Sequence, residues 1–305
     1  MLLLAAALAG SGCFAVNRIG VAVLYDKARL PEAQIREDVA YYDGPGADAE
    51  KHRLDLFVPA PDAAGWPTVI FIHGGGWTSG DKDLKAGGAD VYRNIGRFFA
   101  ARGIGAAVIN YRLLPGVDWT AQIEDVARAV AWVHGQVGGL GGDPDALFLM
   151  GHSAGAQLAA RVALDPAPLT DLGLRPAAVC GVIAVSGAAY DAADPETYAL
   201  GGSYRYLDER FGGTEGWEDA ISPVRFIDAG APPFLVLYAG GESKALQHQS
   251  RLLDAALREA GAASRLVEVP GESHARIVLT LSRDDKTAGP AMLDFIRAQD
   301  CVAQG

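Results

Sequence analysis

The GHSAG sequence at residues 151–155 has the residue types and spacing of a turn that exposes a reactive serine. It follows the apolar run Leu147–Met150 and opens a small-residue stretch, Ala156–Leu164, that has the pattern of a helix. In a sharp strand-to-helix turn, flanking glycines permit close backbone approach and the serine hydroxyl stands at the top of the strand. We therefore predict that Ser153 is a nucleophile.

A serine nucleophile needs a base, usually a histidine, and a carboxylate that holds the base. In folds with this turn the order along the chain is serine, acid, histidine. Two histidines follow Ser153: His248 lies in a helical stretch, whereas His274 lies in a loop after the last predicted strand. The base belongs in such a loop, so we predict His274 as the base and expect His248 to be packed or solvated.

The acid is expected just past the predicted strand Phe234–Tyr238, where Glu242 is the one carboxylate of the following loop. Aspartate is the commoner residue at this position, although glutamate serves in some triads. The alternative is that Glu242 is an exposed loop residue paired with the nearby lysine. In that case Glu268 or Glu272, which precede His274 closely in the chain, would be the next candidates.

The HGGGW sequence at residues 73–77, called the glycine loop below, directly follows an apolar strand. After the third strand of a sheet with such a serine turn, a loop of this kind presents backbone N–H groups to a developing oxyanion. Glycine suits these positions because a side chain would block the substrate oxygen from the amides. We predict that the amides of Gly75, Gly76 and Ala154 form the oxyanion hole. Trp77 is predicted to bind substrate, and His73 to brace the loop.

These residues have to be positioned by a sheet, and from residue 35 onward strand-like and helix-like stretches alternate. Most strand-like stretches from Thr68 onward are continuous apolar runs, which is typical of parallel strands covered on both faces. Apolar residues at three- and four-residue steps predict helices at Gln122–Val137 and Leu246–Ala260. The alternation predicts an α/β doubly wound, mostly parallel sheet of about eight strands flanked by helices. The predicted strands are Glu37–Tyr42, Arg53–Val58, Thr68–His73, Ala106–Asn110, Ala146–Met150, Cys180–Ser186, Phe234–Tyr238 and Arg265–Val269, the last expected at an edge.

Residues 187–223 break the alternation and are rich in aromatic and turn-forming residues. A long connection without periodicity is often a lid or binding loop. The alternative is a surface excursion that packs its own aromatic side chains. We predict a single domain over residues 35–300, in which residues 187–223 form a short lid-like insertion.

The charge balance and the spacing of cysteines and histidines argue against other classes of protein. With 37 acidic against 26 basic residues the net charge is −11, which would repel a nucleic acid. The three cysteines, at positions 13, 180 and 301, show neither ligand spacing nor a disulfide framework, and the histidines form no metal-binding motif. We therefore expect no nucleic-acid partner, no metal and no cofactor.

The first residues resemble an export signal. Leu2–Ala9 is an unbroken apolar run, followed by small residues and then Cys13. This run is too short to span a bilayer, which takes about 20 residues, but it fits the hydrophobic part of a signal peptide. Small residues before a lone cysteine resemble a lipoprotein signal over residues 1–13, with membrane attachment only through a lipid on Cys13. We expect a periplasmic or membrane-anchored protein; the alternative is a cytoplasmic protein with a frayed N-terminus.

Several motifs in order, from about Leu54 to Ile296, resemble the α/β-hydrolase superfamily of esterases and lipases. The most similar groups are carboxylesterases, hormone-sensitive-lipase-like enzymes and kynurenine formamidases. Besides GHSAGA and HGGGW, the motifs are NYRL at 110–113, QIED at 122–125, GGDPD at 141–145, SG at 186–187, SP at 222–223 and APPF at 231–234. The sequence departs from the family at 238–242, where YAGGE replaces the usual His-Gly-x-x-Asp, and at Ala275, where an aromatic residue usually follows the base.

The resemblance implies an α/β-hydrolase fold, with the family's nucleophile at Ser153, its base at His274 and its oxyanion glycines at Gly75 and Gly76. It implies a serine hydrolase that cleaves small-molecule carboxylic esters through an acyl-enzyme without a cofactor. An arylformamidase remains open, because an amide leaving group needs the same residues. A non-catalytic, surface-anchored binding protein also remains open, since fold alone does not prove activity and the acid loop is substituted.

Overall fold

The computed structural model describes residues 24–302; the predicted signal at residues 1–13, including Cys13, lies outside them. The strands of this range are β1 (Ile35–Ala40), β2 (Arg53–Phe57), β3 (Trp66–Ile72), β4 (Lys85–Ala86), β5 (Ala89–Asp90), β6 (Gly105–Ile109), β7 (Gly142–His152), β8 (Val179–Val185), β9 (Phe234–Ala239) and β10 (Ser264–Val269). Across the described residues they form an eight-stranded sheet in the order β1-β2-β6-β3-β7-β8-β9-β10, and β4 pairs with β5. The pairings β1–β2 and β2–β6 are antiparallel, and the other pairings of the sheet are parallel.

Helices cover both faces of this sheet. They are α1 (Val91–Ala100), α2 (Trp119–Val137), α3 (Ala154–Leu164), α4 (Ala167–Thr170), α5 (Pro195–Ala199), α6 (Tyr204–Phe211), α7 (Trp217–Ile221), α8 (Lys244–Glu259), α9 (Arg276–Leu279) and α10 (Ala288–Arg297). One apolar cluster includes Val126, Leu158 and Leu253 of α2, α3 and α8. The other includes Ile95 of α1 and Met292 of α10. Because the inner parallel strands contribute side chains to both clusters, their central residues are almost all apolar. The predicted α/β architecture is confirmed.

The predicted strands are all present in the described part of the chain, with ends that differ by four residues or fewer. Strand β10, the least apolar of the predicted strands from Thr68 onward, lies at an edge of the sheet as predicted. Helices α2 and α8 begin earlier than the apolar pattern does, because Asp118 and Ser243 cap their first turns by accepting from backbone N–H groups at 2.9 and 3.3 Å.

Helix α1 was not predicted from the sequence. Its ten residues include three aromatic residues and Gly96, all of which form helices poorly on their own. A side chain at position 96 would overlap the ring of Phe57, so the glycine is required by the packing of α1 on β2. Tertiary contact therefore overrides the weak local preference.

The lid-like segment at residues 187–223 contains the three short helices α5, α6 and α7. Tyr190, Phe211 and Trp217 are buried, whereas Tyr204 is 43% exposed. Phe211 stacks on Trp217 and also packs edge-on against Trp77 of the glycine loop, with ring centroids 4.9 Å apart. The segment thus packs its own aromatic residues and at the same time contacts the predicted site.

The expectation that the cysteines form no framework is wrong for one pair. Cys180 at the start of β8 and Cys301 after α10 form a disulfide, with Cα atoms 6.3 Å apart. The two cysteines are 121 residues apart in sequence, so no local spacing could indicate the pairing. Among residues 24–302 no helix is both long and apolar enough to cross a membrane.

Candidate active site

Ser153 lies in the turn between β7 and α3, with φ of 57° and ψ of −121°. Its N–H donates to the carbonyl oxygen of Val185 on the neighbouring strand at 2.9 Å, which fixes the turn to the sheet. A side chain at Gly151 would overlap the backbone of Gly155, and one at Gly155 would overlap the carbonyl oxygens of Ile72 and His73. The two glycines are therefore needed because the turn packs tightly on itself and on the end of β3.

The structure brings Ser153, His274 and Glu242 into one chain of hydrogen bonds. His274 Nε2 lies 3.0 Å from Ser153 Oγ, and His274 Nδ1 lies 2.9 Å from Glu242 Oε2. The loops that carry the histidine and the carboxylate follow two neighbouring parallel strands, the edge strand β10 and the adjacent strand β9. These loops are joined by a backbone bond from Gly241 N–H to the carbonyl oxygen of Glu272, at 2.9 Å.

Glu242 is the carboxylate that reaches the histidine, and its side chain is fully buried. The nearby lysine, Lys244, donates to Gln247. Of the other candidates, Glu268 accepts from the hydroxyl of Tyr238 at 2.8 Å, and Glu272 pairs with Lys286 at 3.1 Å. The alternative of an exposed, solvated Glu242 is therefore wrong.

The glycine loop lies beside Ser153 in an unusual backbone conformation. Gly75, Gly76 and Trp77 have φ of 132°, 60° and 63°, in the region that disfavours side chains. A side chain at Gly74 would come within 3.1 Å of Ser153 Cβ. Ala154 is the first residue of α3, so its N–H has no partner within the helix. The glycine loop thus packs against Ser153, and the unpaired helical N–H of Ala154 directly follows the serine.

Packing within the protein is a further reason for glycine at positions 75 and 76. A side chain at Gly75 would overlap the backbone of Ser79, and one at Gly76 would overlap the hydroxyl of Tyr206 on α6. The glycines thus permit a tight turn and the close approach of helix α6.

Comparison with known proteins finds esterases that resemble this chain in sequence and in fold. The model of the BD-FAE family matches residues 54–173. Esterase LipQ of Mycobacterium tuberculosis is 34% identical over 85% of this chain and 61% of its own length. The probable carboxylic ester hydrolase LipM of the same organism is 32% identical over 82% of this chain and 58% of its own length. The crystal structure of esterase B from Lactobacillus rhamnosis superposes with a TM-score of 0.71 at 25% identity, over 92% of this chain and 88% of that one.

The chain belongs to the α/β-hydrolase superfamily. It spans about 60% of the length of the two curated relatives named above. The resemblance to this superfamily seen in the sequence motifs is confirmed.

Trp77 of this α/β-hydrolase does not occupy the predicted substrate-binding position. The residue is 2% exposed, and its indole N–H donates to Gln157 Oε1 of α3 at 3.0 Å. Its carbonyl oxygen accepts from the N–H of Leu114 and the side chain of Gln122, at 2.9 and 2.8 Å. Trp77 therefore anchors the glycine loop to the core, since its buried ring has no surface to offer a ligand.

His73 braces the same loop, as predicted for it. The imidazole is fully buried, donates from Nδ1 to the carbonyl oxygen of Gly74 at 2.8 Å, and stacks on Tyr111 with centroids 4.4 Å apart. Burial lowers the pKa of His73 to about 4. His248, the rejected base, pairs with Asp194 at 2.9 Å and so connects α8 to the lid-like segment.

His152 is a site residue that sequence reasoning did not single out. Its Nε2–H donates to the carbonyl oxygen of His274 at 2.8 Å, and the two rings lie 4.8 Å apart. Burial, together with the nearby His274, lowers the pKa of His152 to about 3, so the ring is neutral and can hold the base loop without adding charge. The one available signal was its place directly before Ser153.

Proposed function

We propose that this α/β-hydrolase cleaves small carboxylic esters through an acyl-enzyme. The observation that carries the proposal is the chain of hydrogen bonds from Ser153 through His274 to a buried carboxylate, Glu242. A carboxylate so placed holds the imidazole in the tautomer that accepts the serine proton and stabilises the imidazolium that forms. The same arrangement argues against a binding protein that has lost its catalytic residues.

In the proposed reaction, His274 Nε2 removes the proton from Ser153 Oγ as the oxygen attacks the ester carbonyl carbon. The negative charge on the carbonyl oxygen is stabilised by the amides of Gly75, Gly76 and Ala154, each such donor being worth about 3–4 kcal/mol in the transition state. The imidazolium then protonates the departing alcohol. A water molecule, deprotonated by His274, releases the acid by the same steps in reverse.

The choice of ester as the substrate class is supported by the relatives. LipQ is named as an esterase and LipM as a probable carboxylic ester hydrolase. Esterase B has been crystallised with a tributyrin phosphonate inhibitor, and it superposes in that form with a TM-score of 0.70 at 25% identity. Phosphonates mimic the tetrahedral intermediate of acyl transfer, which is the species that the glycine loop is proposed to stabilise here.

The proposal is tested by measuring hydrolysis of p-nitrophenyl esters of increasing acyl length, with formyl-arylamines as a second substrate series. Ser153→Ala should lower kcat by about 10⁶ and abolish labelling by a fluorophosphonate, while the protein stays folded. The matched control is Ser250→Ala, a buried serine of α8 whose hydroxyl has no partner among the described residues. A Ser153→Ala variant that retains a tenth of the activity would refute the mechanism.

We also propose that the protein is exported, with a lipid on Cys13 as its only membrane attachment. The apolar run and small residues before Cys13 support this proposal, and so does the Cys180–Cys301 disulfide, because disulfides persist mainly in oxidising compartments. Protein isolated from the native host should begin at Cys13, partition into detergent, and become soluble on Cys13→Ala. An intact Met1 on that protein would refute export.

A further inference from the structure

Helix α6 of the lid-like segment contacts the glycine loop through Phe211, which packs against Trp77, and through Tyr206 and Arg210, which lie against Gly76. Arg210 Nε donates to the carbonyl oxygen of Gly76 at 3.1 Å, and Arg210 Nη1 donates to the carbonyl oxygen of Tyr206 at 2.9 Å. The guanidinium carbon lies 3.4 Å from the centroid of the Tyr206 ring, within the range of a cation–π contact. The Tyr206 hydroxyl occupies the space that a side chain at position 76 would take.

The glycine loop needs such support because its conformation is intrinsically unfavourable. Three consecutive residues, 75 to 77, have positive φ, and Trp77 is not a glycine. Such backbone persists only where the surroundings over-determine it. On the core side, Leu114 and Gln122 hold the carbonyl oxygen of Trp77. On the opposite side, Arg210 holds the carbonyl oxygen of Gly76.

We infer that Tyr206 and Arg210 are positioning residues that hold the glycine loop in the conformation that presents its amides to the oxyanion. The inference rests on the proposed ester hydrolysis. Both residues lie on α6, so the geometry of the oxyanion hole depends on how the lid-like segment is seated. A displacement of α6 would release the Gly76 carbonyl and let the loop relax.

The test compares variants on one helix. Arg210→Gln and Tyr206→Phe remove the contacts with Gly76. Their matched controls are Arg205→Gln, where the arginine is exposed and pairs with Glu209, and Tyr204→Phe, where the hydroxyl donates to Glu218. The controls alter the same residue types on the same helix without touching the loop.

Arg210→Gln should lower kcat for a p-nitrophenyl ester by about 10- to 100-fold, because a misplaced donor costs rate in the transition state more than it costs substrate binding. KM should change by less than about threefold, because the loop amides bind the oxyanion, which is absent from the bound substrate and forms only in the transition state. Tyr206→Phe should lower kcat in the same direction. Arg210→Lys should recover part of the loss, because an ammonium can still donate to the Gly76 carbonyl oxygen. The controls should stay within about twofold of the wild type.

Two results would overturn the inference: equal kcat in Arg210→Gln and Arg205→Gln, or a raised KM at unchanged kcat. If Arg210→Gln fails to fold, Tyr206→Phe decides, because it keeps the ring and removes only the hydroxyl. Failure of the proposed function itself would look different. The wild type would then hydrolyse no ester and take no fluorophosphonate label, whereas an active wild type with insensitive α6 variants refutes only the inference.

Discussion

For Glu242 the structure decides between alternatives that the sequence left open. Its buried carboxylate lies 2.9 Å from His274 Nδ1. We predict that Glu242→Gln lowers kcat by at least about 10³, with little change in KM or Tm, because a neutral side chain no longer stabilises the imidazolium. Glu242→Asp should recover only part of this loss, because its shorter side chain cannot reach the imidazole as well. Steady-state kinetics with a p-nitrophenyl ester measure both.

The matched control is Glu268→Gln, on the neighbouring edge strand, where the carboxylate accepts from Tyr238 and does not contact the base. It should change kcat by less than about threefold. If Glu242→Gln were as active as this control, Glu242 would lose its place in the triad while Ser153 and His274 kept theirs.

His152 gives a prediction about pH at the same scale. Its pKa in the folded protein is about 3, below the usual value of 6.5, so between these values the unfolded chain binds more protons. The free energy of unfolding should therefore fall as the pH falls from 6.5 towards 3, with a contribution of up to about 1.4 kcal/mol per pH unit from this ring. In His152→Gln that contribution is absent, so denaturation curves between pH 6 and 4 should show a shallower decline. Parallel declines in the two proteins would contradict the assignment.

At the scale of elements, the turn that carries Ser153 is held by the packing of α3 against the end of β3. Gly155→Ala would place a methyl group against the carbonyl oxygens of Ile72 and His73. We predict a loss of about 1–3 kcal/mol in the free energy of unfolding, the usual cost of overpacking, together with a lower kcat. Urea denaturation followed by circular dichroism measures the first.

Gly135→Ala is the control for that experiment. Gly135 is exposed near the end of α2, and a side chain there would meet no atom within 4 Å. The substitution should raise the free energy of unfolding by about 0.5–1 kcal/mol, because alanine favours the helix. A Gly155→Ala variant as stable as Gly135→Ala would mean that α3 can move away from β3.

At the scale of the whole molecule, the Cys180–Cys301 disulfide joins β8 to the C-terminal residues across a separation of 121 residues. We predict that Cys180→Ser/Cys301→Ser lowers the free energy of unfolding by about 2–4 kcal/mol, since the unfolded chain loses a long-range constraint. Ester hydrolysis should be unchanged, because Cys180 lies at the start of β8 and Ser153 lies at the opposite end of the parallel strands. Thermal melts with and without reductant check this: reduction should lower the Tm of the wild type alone. Equal Tm in both proteins would contradict it.

The sequence by itself determined the eight strands of the main sheet and the order of the site motifs along the chain. It also singled out Ser153 and His274 as the candidate nucleophile and base. Each of these depends on a local pattern, such as a continuous apolar run, a glycine-serine turn, or a histidine after the last strand. Only the tertiary structure decided that Glu242 meets His274 across 32 residues, that Cys180 meets Cys301 across 121, and that Arg210 holds Gly76 across 134. It also showed that Trp77, predicted to bind substrate, is buried in the core. Apolar periodicity shows which face of an element is buried, but it does not show which distant residues that face or its loops will meet, because the partner is set by how whole elements pack.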